Sequence, residues 1–268
     1  MEPFWRTWSF LEPAIKDAHF LMFLDFDGTL TAIRKYPHLA TLSPTSKKIL
    51  KKLSNTPQIQ VVFISGRSIH DLKNKINLPS AIYIGNHGLE FESSKLKHVQ
   101  AEAKAFQKIE TVLAASLKKA FRDFKKILIE RKTYSITVHY RNLEPHKIKP
   151  ARRILDELML SWPEAKSLVL QPGKKVWEIR PQSLWHKGTM SLWALARFIF
   201  QVRGKVFPIY FGDDVMDELA FKALAKKGLT VKVAKYPDLR ISHAKCYLRT
   251  PSEVYPFLKR VIQLKTKI

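Results

Sequence analysis

The 268-residue chain is 46% hydrophobic and 26% charged, which excludes a disordered chain and gives length for one large domain or two small ones. Its one cysteine, Cys246, excludes an internal disulfide and fits a reducing compartment, so a cytoplasmic location is expected. The net charge of +24 is spread along the chain, with no arginine-rich tail and no nucleic-acid motif; this argues against a specific nucleic-acid binder and fits a basic surface that attracts an anionic ligand.

Charged residues at Glu2, Arg6, Glu12, Lys16 and Asp17 leave no signal-peptide core. The longest apolar runs are too short to span a membrane, and the one over 192–200 contains Arg197. Phe4, Trp5, Trp8, Leu11 and Ile15 recur near helical spacing and predict a docked helix over 3–16, whose end Pro13 unsettles. A strand over 19–24 is apolar throughout after His19, as expected of one buried on both faces. It runs directly into Asp25-Phe26-Asp27-Gly28-Thr29. Ser43-Pro44 predicts the start of a helix that turns Ile49, Leu50 and Leu53 inward. A strand over 59–64 ends in Ser65-Gly66-Arg67, a helix covers 68–76, and a strand over 81–84 ends in Gly85-Asn86-His87-Gly88. Strands alternating with helices, each ending in polar or glycine-containing sequence, indicate a parallel α/β sheet with its ligands beyond the carboxyl ends.

The rhythm changes near Ser93. A helix is predicted over 99–121 with Ala105, Ile109, Val112, Leu113, Ser116 and Ala120 on its inner face. Strands follow near 126–130 and 134–140, Pro145 breaks the chain, a helix covers 148–160, and strands lie near 167–171 and 175–179. Short turns between neighbouring strands make them antiparallel, so 93–182 reads as an α+β module inserted into the α/β chain. The earlier rhythm then resumes: a helix from near Lys187, a strand over 206–211 ending in Gly212-Asp213-Asp214, a helix over 216–226, strands at 229–233 and 246–248, and a helix over 251–264.

Four stretches carry candidate chemistry. Asp25 and Asp27 lie two apart at a strand end and face the same side, where their repulsion invites a hard divalent cation such as Mg²⁺. Ser65 offers a hydroxyl in a turn whose backbone N–H groups can also face an anion. Lys187 sits where its charge and a helix N-terminus both favour phosphate. Asp213 and Asp214, with Asp217 one turn on, add possible metal ligands. Each has an ordinary alternative: a polar turn, a solvated lysine, a helix N-cap.

Taken together and in this order, the four stretches resemble the four motifs of the haloacid-dehalogenase superfamily of phosphotransferases. The resemblance implies a Rossmann-like core built from 1–92 and 183–268, with 93–182 as its inserted cap. It implies that Asp25 is the nucleophile, that Asp27 is the general acid and base, and that Ser65 and Lys187 hold the phosphoryl group. Mg²⁺ would be bound by Asp25, the Asp27 carbonyl and Asp213, with Thr29, Asp214 and Asp217 as supports.

The inserted module contains Glu130, Lys132, Tyr134, Ser135, His139 and Arg141, then Gly173-Lys174 and Glu178-Ile179-Arg180-Pro181. Strand alternation places Glu130 with Lys132 and His139 with Arg141. Such a face could grip sugar hydroxyls, or be a solvated surface with cross-strand ion pairs. The Lys-x-x-Ser-x-x-x-His-Tyr-Arg and Gly-Lys-x-x-x-Glu-x-Arg-Pro segments resemble the trehalose-6-phosphate phosphatase family, and the likeness runs from Leu21 to about Glu218. It implies the hydrolysis of trehalose 6-phosphate, the final step of trehalose biosynthesis. Glu130, Lys132, His139, Arg141, Lys174 and Glu178 would then hold the sugar under a mobile lid, with Arg67 and His87 lining the core side. One departure is Met216, where the family usually has threonine. No glycosyltransferase region is fused here, so any trehalose-phosphate synthase partner is expected on a separate chain. The rival readings are a phosphatase for another sugar phosphate and a non-catalytic basic binding protein on the same fold.

Overall fold

The computed structural model describes residues 2–34, 36–173, 175–235 and 241–266. It divides into two compact units, one of residues 1–98 and 185–268, the other of residues 99–184. Strands and helices are, in chain order, β1 (Glu2–Pro3), α1 (Phe4–Ile15), β2 (His19–Leu24), α2 (Pro44–Ser54), β3 (Ile59–Ile64), α3 (Ile69–Ile76), β4 (Ile82–Gly85), β5 (Glu90–Glu92) and β6 (Lys97–Val99). Then come α4 (Ala101–Ala120), β7 (Leu128–Lys132), β8 (Ser135–His139), α5 (Pro145–Ser161), β9 (Leu168–Gly173) and β10 (Val176–Pro181). The chain closes with α6 (Lys187–Gln201), β11 (Val206–Gly212), α7 (Val215–Leu224), β12 (Leu229–Val233), β13 (Cys246–Leu248) and α8 (Val254–Thr266).

In the first unit the described strands form one sheet in the order β1-β13-β12-β11-β2-β3-β4-β5-β6. Pairing is parallel from β1 to β4 and turns antiparallel at β5. β2 lies between β11 and β3, with Leu24 opposite Phe211 on one side and Phe63 on the other. Its side chains alternate between two cores: Phe20, Met22 and Leu24 join Trp8, Leu50 and Phe257, while Leu21 and Phe23 join Met190, Tyr210 and Phe221. Both faces being covered explains the unbroken apolar run. The predicted bounds of β2, β3, β12 and β13 coincide with the observed ones. Ser43 caps α2, accepting from the Ser46 N–H, with Pro44 in its first turn. Trp8 is buried, stacked with Phe4 and edge-to-face with Phe257, whereas Trp5 is 43% exposed.

In the second unit β7-β8-β10-β9 form an antiparallel sheet. Ile136, Val138, Trp177 and Ile179 pack against α4 and α5 through Phe106, Leu113, Leu117 and Leu155. Two expectations need correction. The inner face of α4 carries Ala103, Phe106, Glu110, Leu113, Ala114 and Leu117, while Ala105 and Val112 face water. Glu110 is accommodated because Arg131 grips both its oxygens, at 2.5 and 2.6 Å. Pro145 does not break the chain; it opens α5, where a missing N–H costs nothing. No helix among the described residues is long and apolar enough to cross a membrane.

Candidate active site

The site begins where β2 stops. Asp25 continues the sheet by donating its N–H to Phe211 O (3.1 Å) and is only 3% exposed. The chain then folds into a tight loop in which Gly28 donates to Thr31 O (2.7 Å) and Leu30 and Thr31 donate to Phe26 O (3.0 Å each). Gly28 has φ +80°, and a Cβ there would lie 2.1 Å from an Asp213 carboxylate oxygen. A side chain is therefore excluded twice, by the left-handed backbone and by Asp213. Thr29 donates from Oγ1 to Asp213 Oδ1 (3.3 Å), and Tyr255 of α8 holds the loop by donating to Leu30 O (2.6 Å).

Ser65 follows β3, buried, with its N–H on Ile84 O (3.0 Å). The turn after β4 braces this segment: His87 N–H donates to Ser65 O (3.0 Å) and Asn86 N–H to Arg67 O (2.8 Å). The His87 ring lies so close over Gly66 that a Cβ there would come within 2.6 Å of it. Arg67 does not point to open space. Its Nε and Nη2 donate to Asp27 Oδ2 and Oδ1 at 2.6 and 2.7 Å, and its Nη1 to Asp71 Oδ2 at 2.5 Å.

Lys187 opens α6 and is 1% exposed. His186 caps that helix, its Nδ1 accepting from the Gly188 and Thr189 N–H groups at 3.1 and 3.4 Å. The Lys187 ammonium donates to Asp25 Oδ1 (3.0 Å) and Asp217 Oδ1 (2.8 Å) and lies 3.7 Å from Asp214 Oδ1. Asp214 caps α7, as the ordinary reading of that pair allowed, by accepting from the Asp217 N–H at 2.8 Å.

Asp217 is wholly buried and its lone pairs are filled. Oδ2 accepts from the Asp213 and Asp214 N–H groups at 3.0 Å each, and Oδ1 accepts from Tyr210 OH at 2.7 Å as well as from Lys187. Tyr210 was not anticipated from sequence. Its only signal was an aromatic hydroxyl inside an apolar strand, three residues before Asp213, where a buried O–H needs an acceptor.

The electrostatics follow from burial. Burial, assisted by Asp217, Asp213 and Asp214 and opposed by Lys187, holds Asp25 well above the usual carboxylate range. Burial, then Asp217 and Asp214, push Asp213 up to about 7. Burial works against the Lys187 charge, but Asp217, Asp25 and Asp214 outweigh it and raise its pKa well above normal. For Asp214 burial is likewise outweighed, here by Lys187 and by hydrogen bonds from Asp217 and Met216, and its pKa falls.

Asp25, Asp213 and Asp217 bring carboxylate oxygens within 4.8 Å of one another. An oxygen-only set whose three carboxylates are all pushed upward, chiefly by burial, fits a hard divalent cation, whose charge would relieve the repulsion. Asp217 is the weakest ligand of the three, because its oxygens already accept four hydrogen bonds; Asp25 and Asp213 remain as the carboxylates to hold a metal.

In the second unit the polar face of the sheet brings together Glu130, Lys132, His139 and Glu178. His139 Nε2 lies 2.7 Å from Glu130 Oε2, Lys132 Nζ lies 3.4 Å from Glu178 Oε1, and Ser135 Oγ donates to that same oxygen at 2.8 Å. These are cross-strand pairs on a half-exposed face. Arg141 falls beyond the end of β8 and is exposed. Lys174 lies outside the described residues.

A family model described as trehalose-phosphatase matches residues 23–251. A trehalose-phosphate phosphatase of Mycobacterium tuberculosis is 32% identical over 245 residues, covering 90% of this chain and 60% of the relative. Trehalose-phosphate phosphatase B of Arabidopsis thaliana is 27% identical over 266 residues, covering 95% of this chain and 69% of the relative. The chain thus spans about two thirds or less of the length of these relatives. Among solved structures, an Aspergillus fumigatus trehalose-6-phosphate phosphatase aligns with a TM-score of 0.64 at 25% identity, covering 95% of this chain and 97% of that one. The C-terminal domain of the C. albicans trehalose-6-phosphate phosphatase shares the fold, with a TM-score of 0.73 at 24% identity over 96% of this chain and 97% of that one.

Proposed function

The chain belongs to the trehalose-phosphatase family, and from that premise we propose that it hydrolyses trehalose 6-phosphate to trehalose and phosphate through an aspartyl-phosphate. The observation that carries this reading is the buried cluster at the end of β2, where Asp25 lies 3.0 Å from the Lys187 ammonium and close to Asp213.

Asp25 is the nucleophile: its carboxylate forms a bond to phosphorus as the bond from phosphorus to the sugar oxygen breaks. Asp27 gives its proton to that departing oxygen. It then takes a proton from the water that attacks phosphorus, which releases phosphate and restores Asp25. Ser65 and Lys187 hold the phosphoryl oxygens, and the fixed charge of Lys187 costs no reorganisation when negative charge develops there. Asp217 and Tyr210 keep Lys187 aimed at this point. Asp25, the Asp27 carbonyl and Asp213 would hold Mg²⁺, which when bound supplies positive charge against the phosphoryl oxygens. Thr29 and Asp214 support these groups.

The sugar is assigned to Glu130, Lys132, His139, Arg141, Lys174 and Glu178, and the family resemblance adds His87. The pairing of His139 with Glu130 and of Lys132 with Glu178 supports this role, since such paired groups can exchange partners with hydroxyls. The reaction is placed in the cytoplasm, in keeping with a lone cysteine that is buried. A trehalose-phosphate synthase is the reaction that would supply the substrate.

The test is phosphate release from trehalose 6-phosphate, glucose 6-phosphate and sucrose 6-phosphate, with and without Mg²⁺, by wild type and Asp25→Asn. Metal-dependent release from trehalose 6-phosphate alone, lost in the variant, is expected. Comparable release from another ester would keep the chemistry and remove the substrate.

A further inference from the structure

The family resemblance sets Arg67 against the sugar. We propose instead that Arg67 is a positioning residue for Asp27, clamping the carboxylate that moves the proton; this rests on the reading of Asp27 as general acid and base.

Three features of the guanidinium support the assignment. Its Nε and Nη2 meet the two Asp27 oxygens as a fork, at 2.6 and 2.7 Å. The rigid plane of the guanidinium fixes the plane of the carboxylate, which a single donor cannot do. Its third nitrogen donates to Asp71 Oδ2 at 2.5 Å, and Asp71 sits in the first turn of α3, its N–H on the Ser68 cap at 3.2 Å. Its face lies over the Phe26 ring, 5.2 Å from the centroid. The main chain is fixed as well, with Arg67 N–H on Ser65 Oγ (3.3 Å) and Arg67 O accepting from Asn86.

Exposure divides the roles. The Arg67 side chain is 9% exposed, whereas Asp27 is 39% exposed. The arginine lies behind the acid, and the acid faces the solvent side. The fork takes one lone pair on each Asp27 oxygen and leaves the other. The outer side of the carboxylate therefore stays open to the sugar oxygen or to a water without the clamp opening. Asp27 is the third residue beyond β2, on a loop, so without the clamp its side chain could rotate away from the reacting oxygen. A fixed general acid and base is worth about 10²–10⁴ in rate.

The experiment measures kcat and KM on trehalose 6-phosphate, and the time course on p-nitrophenyl phosphate, for wild type, Arg67→Ala, Arg67→Lys, Asp71→Asn and the Arg67→Ala/Asp71→Asn double variant. On trehalose 6-phosphate, Arg67→Ala is expected to lower kcat about 10²-fold with KM changed less than threefold. On p-nitrophenyl phosphate, whose leaving group needs no proton, Arg67→Ala should release one equivalent in a burst and then turn over slowly, because only the water step still needs Asp27. Arg67→Lys should not rescue, since one ammonium cannot grip both oxygens. Asp71→Asn should show a smaller loss of the same kind, absent from the double variant. A KM raised tenfold or more with kcat unchanged, and full p-nitrophenyl phosphate turnover without a burst, would make Arg67 a sugar contact and overturn the assignment. If Arg67→Ala fails to fold, the half-exposed Asp71→Asn decides by the same split. Absence of turnover by wild type on either ester would overturn the phosphatase reading itself.

Discussion

The Lys187 ammonium and the Asp217 carboxylate meet at 2.8 Å with side-chain exposures of 1% and 0%. Lys187 is thus a fixed positive charge among Asp25, Asp214 and Asp217. Lys187→Met removes it and leaves Asp25 and Asp217 buried without a cation. Breaking a buried pair in this way costs about 3–5 kcal/mol. Urea unfolding of the metal-free protein at neutral pH should show that loss, with kcat down about 10²–10³-fold. Because Lys187 is raised above its ordinary value, its contribution is present throughout neutral pH and is lost only as pH rises through that raised value, far into alkali.

Asp213 supplies a pH signature. Its folded value of about 7 lies above that of an unfolded carboxylate, near 4. Between those values the folded chain holds a proton that the unfolded chain has lost. Stability from this group therefore rises as pH falls from above 7 toward 4, and is lost as pH climbs through 7. The metal-free wild type should lose more thermal stability between pH 6 and pH 8 than Asp213→Asn does. Mg²⁺ should reverse the order, because it binds the deprotonated carboxylates. At a hundredfold excess over its Kd it adds about 2.7 kcal/mol, read as a rise in Tm that is larger at pH 8 than at pH 6 and small in Asp213→Asn.

Gly28→Ala tests the loop without replacing an acid. The added Cβ would fall inside the Asp213 carboxylate, on a backbone with φ +80°. Displacing that carboxylate should remove most of the Mg²⁺-induced rise in Tm and lower kcat at least tenfold, while the metal-free protein loses about 1–3 kcal/mol to backbone strain. Calorimetry with and without Mg²⁺ separates the two effects.

Glu178→Gln addresses the sugar face. Glu178 accepts from Ser135 and pairs with Lys132. Turnover of trehalose 6-phosphate should fall about tenfold or more, as expected when a site loses a group that recognises hydroxyls. Turnover of p-nitrophenyl phosphate should be unchanged. Equal losses on both esters would assign Glu178 to structure.

Much of the first unit was legible because its central strands announce themselves. β2, β3 and β11 are apolar runs, each closed by a polar or glycine-containing turn, and the chemistry stands in those turns. The pairing of Arg67 with Asp27 was not legible, because the two residues lie forty apart and meet only through the β2–β3 register. The face of α4 was misread for a related reason. A stripe that includes Glu110 becomes legible only with Arg131, on a strand twenty-one residues later, which grips it; the expected stripe instead included Ala105 and Val112, which are exposed. β1, β5 and β6 are two or three residues long, too short for a period to register. Where a neighbour distant in sequence decides, local pattern does not reach.

The strand that carries Asp25 is hydrogen-bonded on one side by β3 and on the other by β11, which follows the entire second unit in the chain. On a ribosome, β11 emerges roughly ten to forty seconds after β2 at ordinary elongation rates. During that interval one edge of β2 has no partner, while residues 99–184, being continuous, can already close on themselves. Asp213 and Asp217 also arrive only then. A nascent chain stalled once residues 99–184 have cleared the ribosome, with β11 still inside it, should therefore protect its second unit from protease and leave β2 open to cleavage, so that the cluster of Asp25, Asp213 and Asp217 is assembled only after β11 emerges.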